Sequence, residues 1–121
     1  MSGYITRYLY YKSGKSSITI PKKHIEANNF DWNHKDIIYI NFQEFSDLKG
    51  LFLSKEGQGH PTTYLYYESS GKSEVTIPRV VLDANNLNWR NKDYIFLLIK
   101  EIEQIRGIFL YKKEENESKR V

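Results

Sequence analysis

Short runs of apolar and aromatic residues, separated by polar stretches with glycine, proline and asparagine, extend along most of the chain. The first run, residues 4–12, is rich in tyrosine and β-branched residues, and the turn sequence "SGKS" separates it from a second short run at 17–20. Such segments bounded by turn residues predict β-strands. Two later apolar runs, at 36–42 and 50–55, predict a third and a fourth strand.

A short helix is predicted between the second and the third of these strands, over residues 22–27. Pro21 fits the first helical position, where its missing N–H is not needed. Asn29 follows the helix, and asparagine tolerates the left-handed backbone of a helix end better than most residues do. The order of elements in this part of the chain is therefore β-β-α-β-β.

The same order occurs twice, because the chain is a tandem repeat. Residues 14–55 align without a gap to residues 71–112, with 18 identities in 42 positions. The "YLYY" of residues 8–11 returns at 64–67, one position out of register because Ser70 is an insertion. The second copy thus predicts strands at 64–67, 74–77, 93–99 and 107–112 and a helix at 79–84, with Pro78 and Asn86 at its ends.

The repeats divide the chain into a first unit, residues 1–56, a second unit, 57–113, and a flexible tail, 114–121. The segment "EGQGHPTT", residues 56–63, predicts a flexible joint because of its glycines and proline. One unit is too short to bury a convincing core alone, since domains this small bury only about 60% of the surface of the unfolded chain. We therefore expect a mainly β fold with two short helices, in which the units pair through their sheets.

The composition is that of an ordinary globular domain and excludes several kinds of site. Hydrophobic residues make up 40% of the chain, and there is no cysteine. Disulfides, thiolate metal sites and a thiol nucleophile are therefore excluded. No apolar run approaches the roughly 20 residues of a membrane span, and the N-terminus lacks the apolar region of a signal peptide. We expect a cytoplasmic protein without a membrane partner.

Residue types that serve catalysis or metal binding do not form a recognisable site. His24 stands opposite Val81 in the repeat alignment, and His34 stands opposite Asn91, so that no spacing indicates metal ligation or a proton relay. Asp36, which recurs in the second copy, is explained as an acceptor for turn N–H groups at the start of a strand. The sequence predicts neither an enzyme nor a cofactor or metal.

These motifs resemble the SpoVT/AbrB family of swapped-hairpin DNA-binding domains. The segments "KSSITIPK" at 15–22 and "KSEVTIPR" at 72–79 are similar to the family signature K-G-Q-V-T-I-P-K. Phe30 and Asp36, with their counterparts in the second copy, match its later apolar and aspartate positions. In that family two chains usually interlock their hairpins into a dimeric barrel. The resemblance, which covers nearly the whole chain, implies one intramolecular pseudo-dimeric swapped-hairpin barrel.

The resemblance also implies a DNA-binding transcriptional regulator, in which basic residues of the first strand, the turn and the helix start contact duplex DNA. The candidate contacts are Arg7, Lys12, Lys15, Lys22, Lys23, Lys72 and Arg79. Five of these cations lie between residues 7 and 24 without an acidic residue, whereas Glu68 and Glu74 offset the cations of the second copy. We expect a lopsided DNA contact with strong salt dependence. Further homodimerisation would extend it over a longer DNA site.

The alternative function is a protein-interaction module of the same fold, such as an antitoxin or a mobile-element inhibitor. Val80, Val81 and Leu82 favour it, because they make the second helix unusually apolar for an exposed surface. In this alternative the second repeat binds a protein partner. The tyrosines of the two "YLYY" segments are expected to pack rather than to stack on bases, and Trp32 and Trp89 are expected to cover the core.

Overall fold

The structure, a computed structural model, describes residues 4–112, and the predicted tail 114–121 lies outside the described residues. The elements are β1 (Tyr4–Tyr10), β2 (Ser16–Thr19), α1 (Lys22–Ala27), β3 (Ile37–Phe45), β4 (Leu48–Ser54), β5 (His60–Tyr67), β6 (Lys72–Thr76), α2 (Arg79–Ala84), β7 (Tyr94–Ile102) and β8 (Ile105–Lys112). The predicted order of elements is confirmed in both halves.

The eight strands close into one antiparallel barrel in the order β1-β2-β6-β5-β3-β4-β8-β7. Each hairpin of one half is bonded on both sides to strands of the other half. The two halves meet, for example, where Ile18 of β2 lies opposite Val75 of β6 and where Phe52 of β4 lies opposite Phe109 of β8. The expected mainly β fold with two short helices is confirmed, and its barrel is built from both halves of the chain.

Side chains from all eight strands and both helices form one hydrophobic core. Tyr8 and Tyr64 are fully buried in it, so the packing interpretation of these two tyrosines is confirmed. Trp89 packs edge-on against Tyr8, with ring centroids 5.7 Å apart, and Trp32 packs in the same way against Tyr64 at 5.8 Å. Both tryptophans are buried, which confirms that they cover the core.

The prediction of a flexible joint over residues 56–63 is wrong for its second part. Residues 60–63 begin β5 and pair with β3. Pro61 is tolerated there because β6 joins β5 only from Tyr64 onward, so this end of the strand is paired on one side alone. Thr62 points into the barrel and is 8% exposed, like an ordinary strand residue. The connection between the halves is therefore shorter than predicted.

The helices span the predicted residues, and their ends differ from the prediction at one point. Asn29 and Asn86 have φ angles of 61° and 57°, which confirms the left-handed helix ends. Pro21 and Pro78 lie at the N-cap, one residue before the first helical position that was predicted for them. Strands β3 and β7 each run three residues farther than predicted, because the turns that follow them adopt positive φ angles without glycine, at Ser46 in the first turn and at Glu103 and Gln104 in the second.

Candidate nucleic-acid interface

The outer surface of the β2–β6 pair lies at the middle of one side of the barrel. Because side chains alternate along a strand, Ile18 and Val75 point into the core, and Ser17, Thr19 and Glu74 lie on the opposite face of the pair. On that face Ser17 and Glu74 are themselves buried, at 0% and 1% exposed. We call the outward side chains of β2 and β6, together with the turn lysines Lys15 and Lys72, the ribbon face. Lysines from the turns of both repeats meet on this surface.

Lys15 and Lys72, which hold equivalent places in the repeats, share the carboxylate of Glu74. Lys15 Nζ lies 3.2 Å from Glu74 Oε2, and Lys72 Nζ lies 3.5 Å from Oε1. The lysine side chains are 44% and 42% exposed, whereas the carboxylate side chain is 1% exposed. The two ammonium groups therefore lie between the carboxylate and solvent, and the cluster carries one net positive charge.

The charge state of this cluster is fixed at neutral pH. Burial raises the pKa of Glu74, whereas the hydrogen bond and the ion pairs with Lys15 and Lys72 lower it. The lysine contacts outweigh burial, so that the pKa lies below its ordinary value of 4.5. The same hydrogen bond, with the charge of Glu74, raises the pKa of Lys15. The sequence assigned Glu74 to the cations of the second copy, but it pairs with one lysine from each copy.

Arg79, at the start of α2, is held by several groups of the protein. Its guanidinium donates hydrogen bonds to the Trp89 carbonyl oxygen at 2.6 Å and to the Tyr8 hydroxyl at 3.1 Å. It lies 5.1 Å from the ring centroid of Tyr10, and its Nε is 3.4 Å from the Asp83 carboxylate. The Nη1 and Nε groups of this candidate DNA contact are thus used within the fold.

Lys22, at the start of α1, is held in a matching way. Its Nζ donates a hydrogen bond to the Trp32 carbonyl oxygen at 3.3 Å. The same ammonium lies 5.0 Å from the ring centroid of Tyr66 and 5.8 Å from that of Tyr64. A cation over an aromatic face is stabilised by the ring quadrupole. Each helix-start cation therefore contacts a strand of the other half of the chain.

The remaining three candidates lie on the surface. Arg7 donates a hydrogen bond to the Tyr94 hydroxyl at 2.8 Å, and its guanidinium lies 4.8 Å from the centroid of that ring. Lys12 and Lys23 are exposed, and neither side chain makes a hydrogen bond or ion pair with another residue of the described range. The structure thus brings Lys15 and Lys72 together and spreads the other five candidates over strand, turn and helix surfaces.

Two exposed cations outside the candidate set lie beside the first hairpin turn. Arg90 and Lys92 flank Asn91, whose Oδ1 accepts a hydrogen bond from the Tyr10 N–H at 2.9 Å. The sequence alignment did not single out Arg90, because its counterpart in the first copy is Asn33. The neighbours of these cations belong to the other half of the chain, which the linear order of residues does not reveal.

The apolar surface that motivated a protein partner is absent from α2. Val81 and Leu82 are 9% and 0% exposed and belong to the core. Val80 alone of the three is exposed, at 63%. The interpretation of this helix as an exposed apolar patch is therefore wrong, because its apolar residues are needed to cover the barrel.

The histidines take part in packing and backbone contacts. His24 lies beside Tyr4, with ring centroids 5.4 Å apart, and His34 Nδ1 accepts a hydrogen bond from the Tyr66 N–H at 2.9 Å. Within residues 4–112 no three histidine or acidic side chains are grouped so as to hold a metal ion, and neither helix is long and apolar enough to cross a membrane.

Comparison with protein-family models, curated proteins and solved structures finds no match to this chain.

Proposed function

We propose that this protein is a DNA-binding transcriptional regulator of the SpoVT/AbrB type that contacts duplex DNA through the ribbon face. The observation that carries the proposal is the pair of ammonium groups of Lys15 and Lys72, placed 3.2 and 3.5 Å from one buried carboxylate. Cations held in place lose less side-chain entropy on binding a phosphate than free lysines do. The formal net charge of +3 also favours a polyanionic partner.

We propose further that the chain is a single-chain pseudo-dimer of two swapped-hairpin units. Exchanging β1–β4 with β5–β8 leaves the strand order of the barrel unchanged, which supports this proposal. Equivalent residues also face each other at both places where like strands meet, Ile18 opposite Val75 and Phe52 opposite Phe109. Two covalently joined units would present two equivalent turn lysines to one duplex without first having to dimerise.

Within this proposal, the cations have two kinds of role. Lys15 and Lys72 contact phosphates from the ribbon face, and Arg7, Lys12 and Lys23 add exposed charge around it. The helix-start cations contribute charge while their hydrogen bonds hold the two halves together. Because each phosphate contact releases condensed counterions, the affinity is expected to fall steeply with salt.

The test is a salt series of binding to a random-sequence duplex and to genomic DNA fragments. The native protein is expected to bind at low salt, with a slope of log affinity against log salt of several units. K15Q/K72Q is expected to reduce that slope by about 2, because two phosphate contacts are lost. The control K49Q/K100Q removes the same charge from β4 and β7, away from the ribbon face. Absence of DNA binding by the native protein at low salt would overturn the proposal.

A further inference from the structure

The two ends of the barrel are built from equivalent elements and differ in charge. Each end combines the hairpin turn of one half with the loop that joins helix to strand in the other half. We call the first end, residues 10–16 and 88–93, the basic pole, and the second end, residues 66–73 and 31–36, the acidic pole.

Backbone contacts fix the basic pole. The Tyr10 N–H donates a hydrogen bond to Asn91 Oδ1 at 2.9 Å, and the Lys92 N–H donates to the Tyr8 carbonyl oxygen at 2.6 Å. The Tyr8 N–H in turn donates to the Asp93 carbonyl oxygen at 2.9 Å. The loop 88–93 is therefore held against the end of β1, close to the hairpin turn that follows.

The acidic pole is held by the matching contacts. The Tyr66 N–H donates to His34 Nδ1 at 2.9 Å, and the Lys35 N–H donates to the Tyr64 carbonyl oxygen at 2.7 Å. The Tyr64 N–H donates to the Asp36 carbonyl oxygen at 3.0 Å. Because the backbone is the same at both poles, their difference lies in the side chains.

The side chains give the poles opposite formal charge. At the basic pole four cations, Lys12, Lys15, Arg90 and Lys92, stand against one carboxylate, Asp93. At the acidic pole two lysines, Lys35 and Lys72, stand against three carboxylates, Asp31, Asp36 and Glu68. Asp93 is paired with Lys112 at 3.1 Å, and its counterpart Asp36 is paired in the same way with Lys55 at 3.1 Å. The poles therefore differ mainly in Lys12, Arg90 and Glu68. The interlocking of the halves thus concentrates positive charge that the sequence separates by about 80 residues.

We infer that the basic pole meets the phosphate backbone through Lys12, Arg90 and Lys92, and that the protein therefore binds duplex DNA in one preferred orientation. This inference rests on the proposed DNA-binding function. The three side chains are exposed and make no side-chain hydrogen bond or ion pair with other described residues, so none must leave a partner to reach a phosphate. At the acidic pole Glu68 repels phosphate at the position equivalent to Lys12.

The experiment compares the salt dependence of duplex binding for the native protein, K12Q/R90Q/K92Q and the control K35Q/K49Q/K100Q. Both triple variants lose three positive charges, and the control loses none from the basic pole. The basic-pole variant is expected to lower the salt slope by about 2–3 and the affinity at 0.1 M salt by roughly 100-fold. The affinity of the control at 0.1 M salt is expected to fall by only about threefold, because only the overall electrostatic field of the protein changes.

A second variant tests the same inference by gain of binding. N33R/E68K places cations at the acidic pole in the positions equivalent to Arg90 and Lys12. It is expected to raise the salt slope by about 2, since a second basic end then contacts phosphates. If the native protein binds no DNA, the proposed function fails. The inference about the pole is overturned if the native protein binds DNA but the basic-pole variant loses no more affinity than the control. It is also overturned if N33R/E68K leaves the salt slope unchanged.

Discussion

The Arg79 guanidinium donates a hydrogen bond to the Tyr8 hydroxyl across the two halves of the barrel, at a distance of 3.1 Å. It also donates to the Trp89 carbonyl oxygen, so that one side chain connects α2, the following loop and β1. Tyr8 is fully buried, and its ring packs against Trp89. Arg79 therefore covers the polar edge of the core, a role that the charge pattern alone does not indicate.

Replacing Arg79 should destabilise the fold in proportion to the hydrogen bonds that are lost. R79M leaves two acceptors without their donor and is expected to lower the free energy of unfolding by about 2–3 kcal/mol. R79K is expected to lower it by less than about 1 kcal/mol, since Lys22 occupies the equivalent place in the first half and reaches the Trp32 carbonyl oxygen. Urea unfolding measures both, and an R79M protein as stable as the native one would contradict this role.

Gly50 should not tolerate a side chain. A Cβ atom there would lie 3.1 Å from the Phe109 ring and closer still to the Leu110 carbonyl oxygen, which belongs to the neighbouring strand β8. G50A must therefore separate β4 from β8, and we expect it to lower the free energy of unfolding by about 3 kcal/mol.

The control for this substitution is G14A. A Cβ at Gly14 meets no atom within 4 Å, but its φ of 96° disfavours alanine. G14A is therefore expected to lower the free energy of unfolding by about 1 kcal/mol. Equal losses in urea unfolding for G14A and G50A would contradict the packing argument at Gly50.

Sequence patterns predicted the elements of this fold because their signals are local. The bounds of both helices and the order of the strands follow from turn residues and from β-branched and aromatic runs that lie within a few positions of each element. The start of β5 was missed because residues 60–63 contain proline and no aromatic residue, and their strand conformation depends on pairing with β3. Gly50 aligns with Gly107 of the second copy, but the packing reason for a glycine there lies on a neighbouring strand.

The candidate site was predicted less completely, because its charges meet across the repeats. Lys15 and Lys72 were identified from their equivalent places, but Glu74 was assigned to only one of them. Arg90 and Lys92 were missed, since the contact between Asn91 and Tyr10 joins residues that are 81 positions apart. Long-range pairing of this kind leaves no local pattern in a single sequence.

His24 should make the stability of the fold depend on pH. Its ring packs near Tyr4, and its Nε2 is buried without a hydrogen-bond partner among the described residues. Burial lowers the pKa of His24 below the ordinary value of 6.5. Because the unfolded chain then binds the proton more readily, the free energy of unfolding decreases as the pH falls from about 6.5 through the lower pKa of the folded state.

The variant H24V removes this titration and copies Val81, the residue at the equivalent place in α2. Its free energy of unfolding in urea should change less than that of the native protein between pH 7.5 and pH 5. If the free energy of unfolding falls equally for the two proteins over this pH range, groups other than His24 cause the acid sensitivity.

Glu74 should limit the affinity for DNA, because the positive charge that it cancels outweighs the side-chain entropy that it saves by holding the two lysines in place. E74Q keeps the size of the side chain, and the net charge of its cluster with Lys15 and Lys72 rises by one. We expect tighter duplex binding at low salt and a salt slope steeper by about 1. The control E44Q removes a charge from the exposed side chain of Glu44 on β3 and should change both quantities less. An E74Q protein that binds no more tightly than E44Q would mean that the carboxylate positions the lysines rather than competes for them.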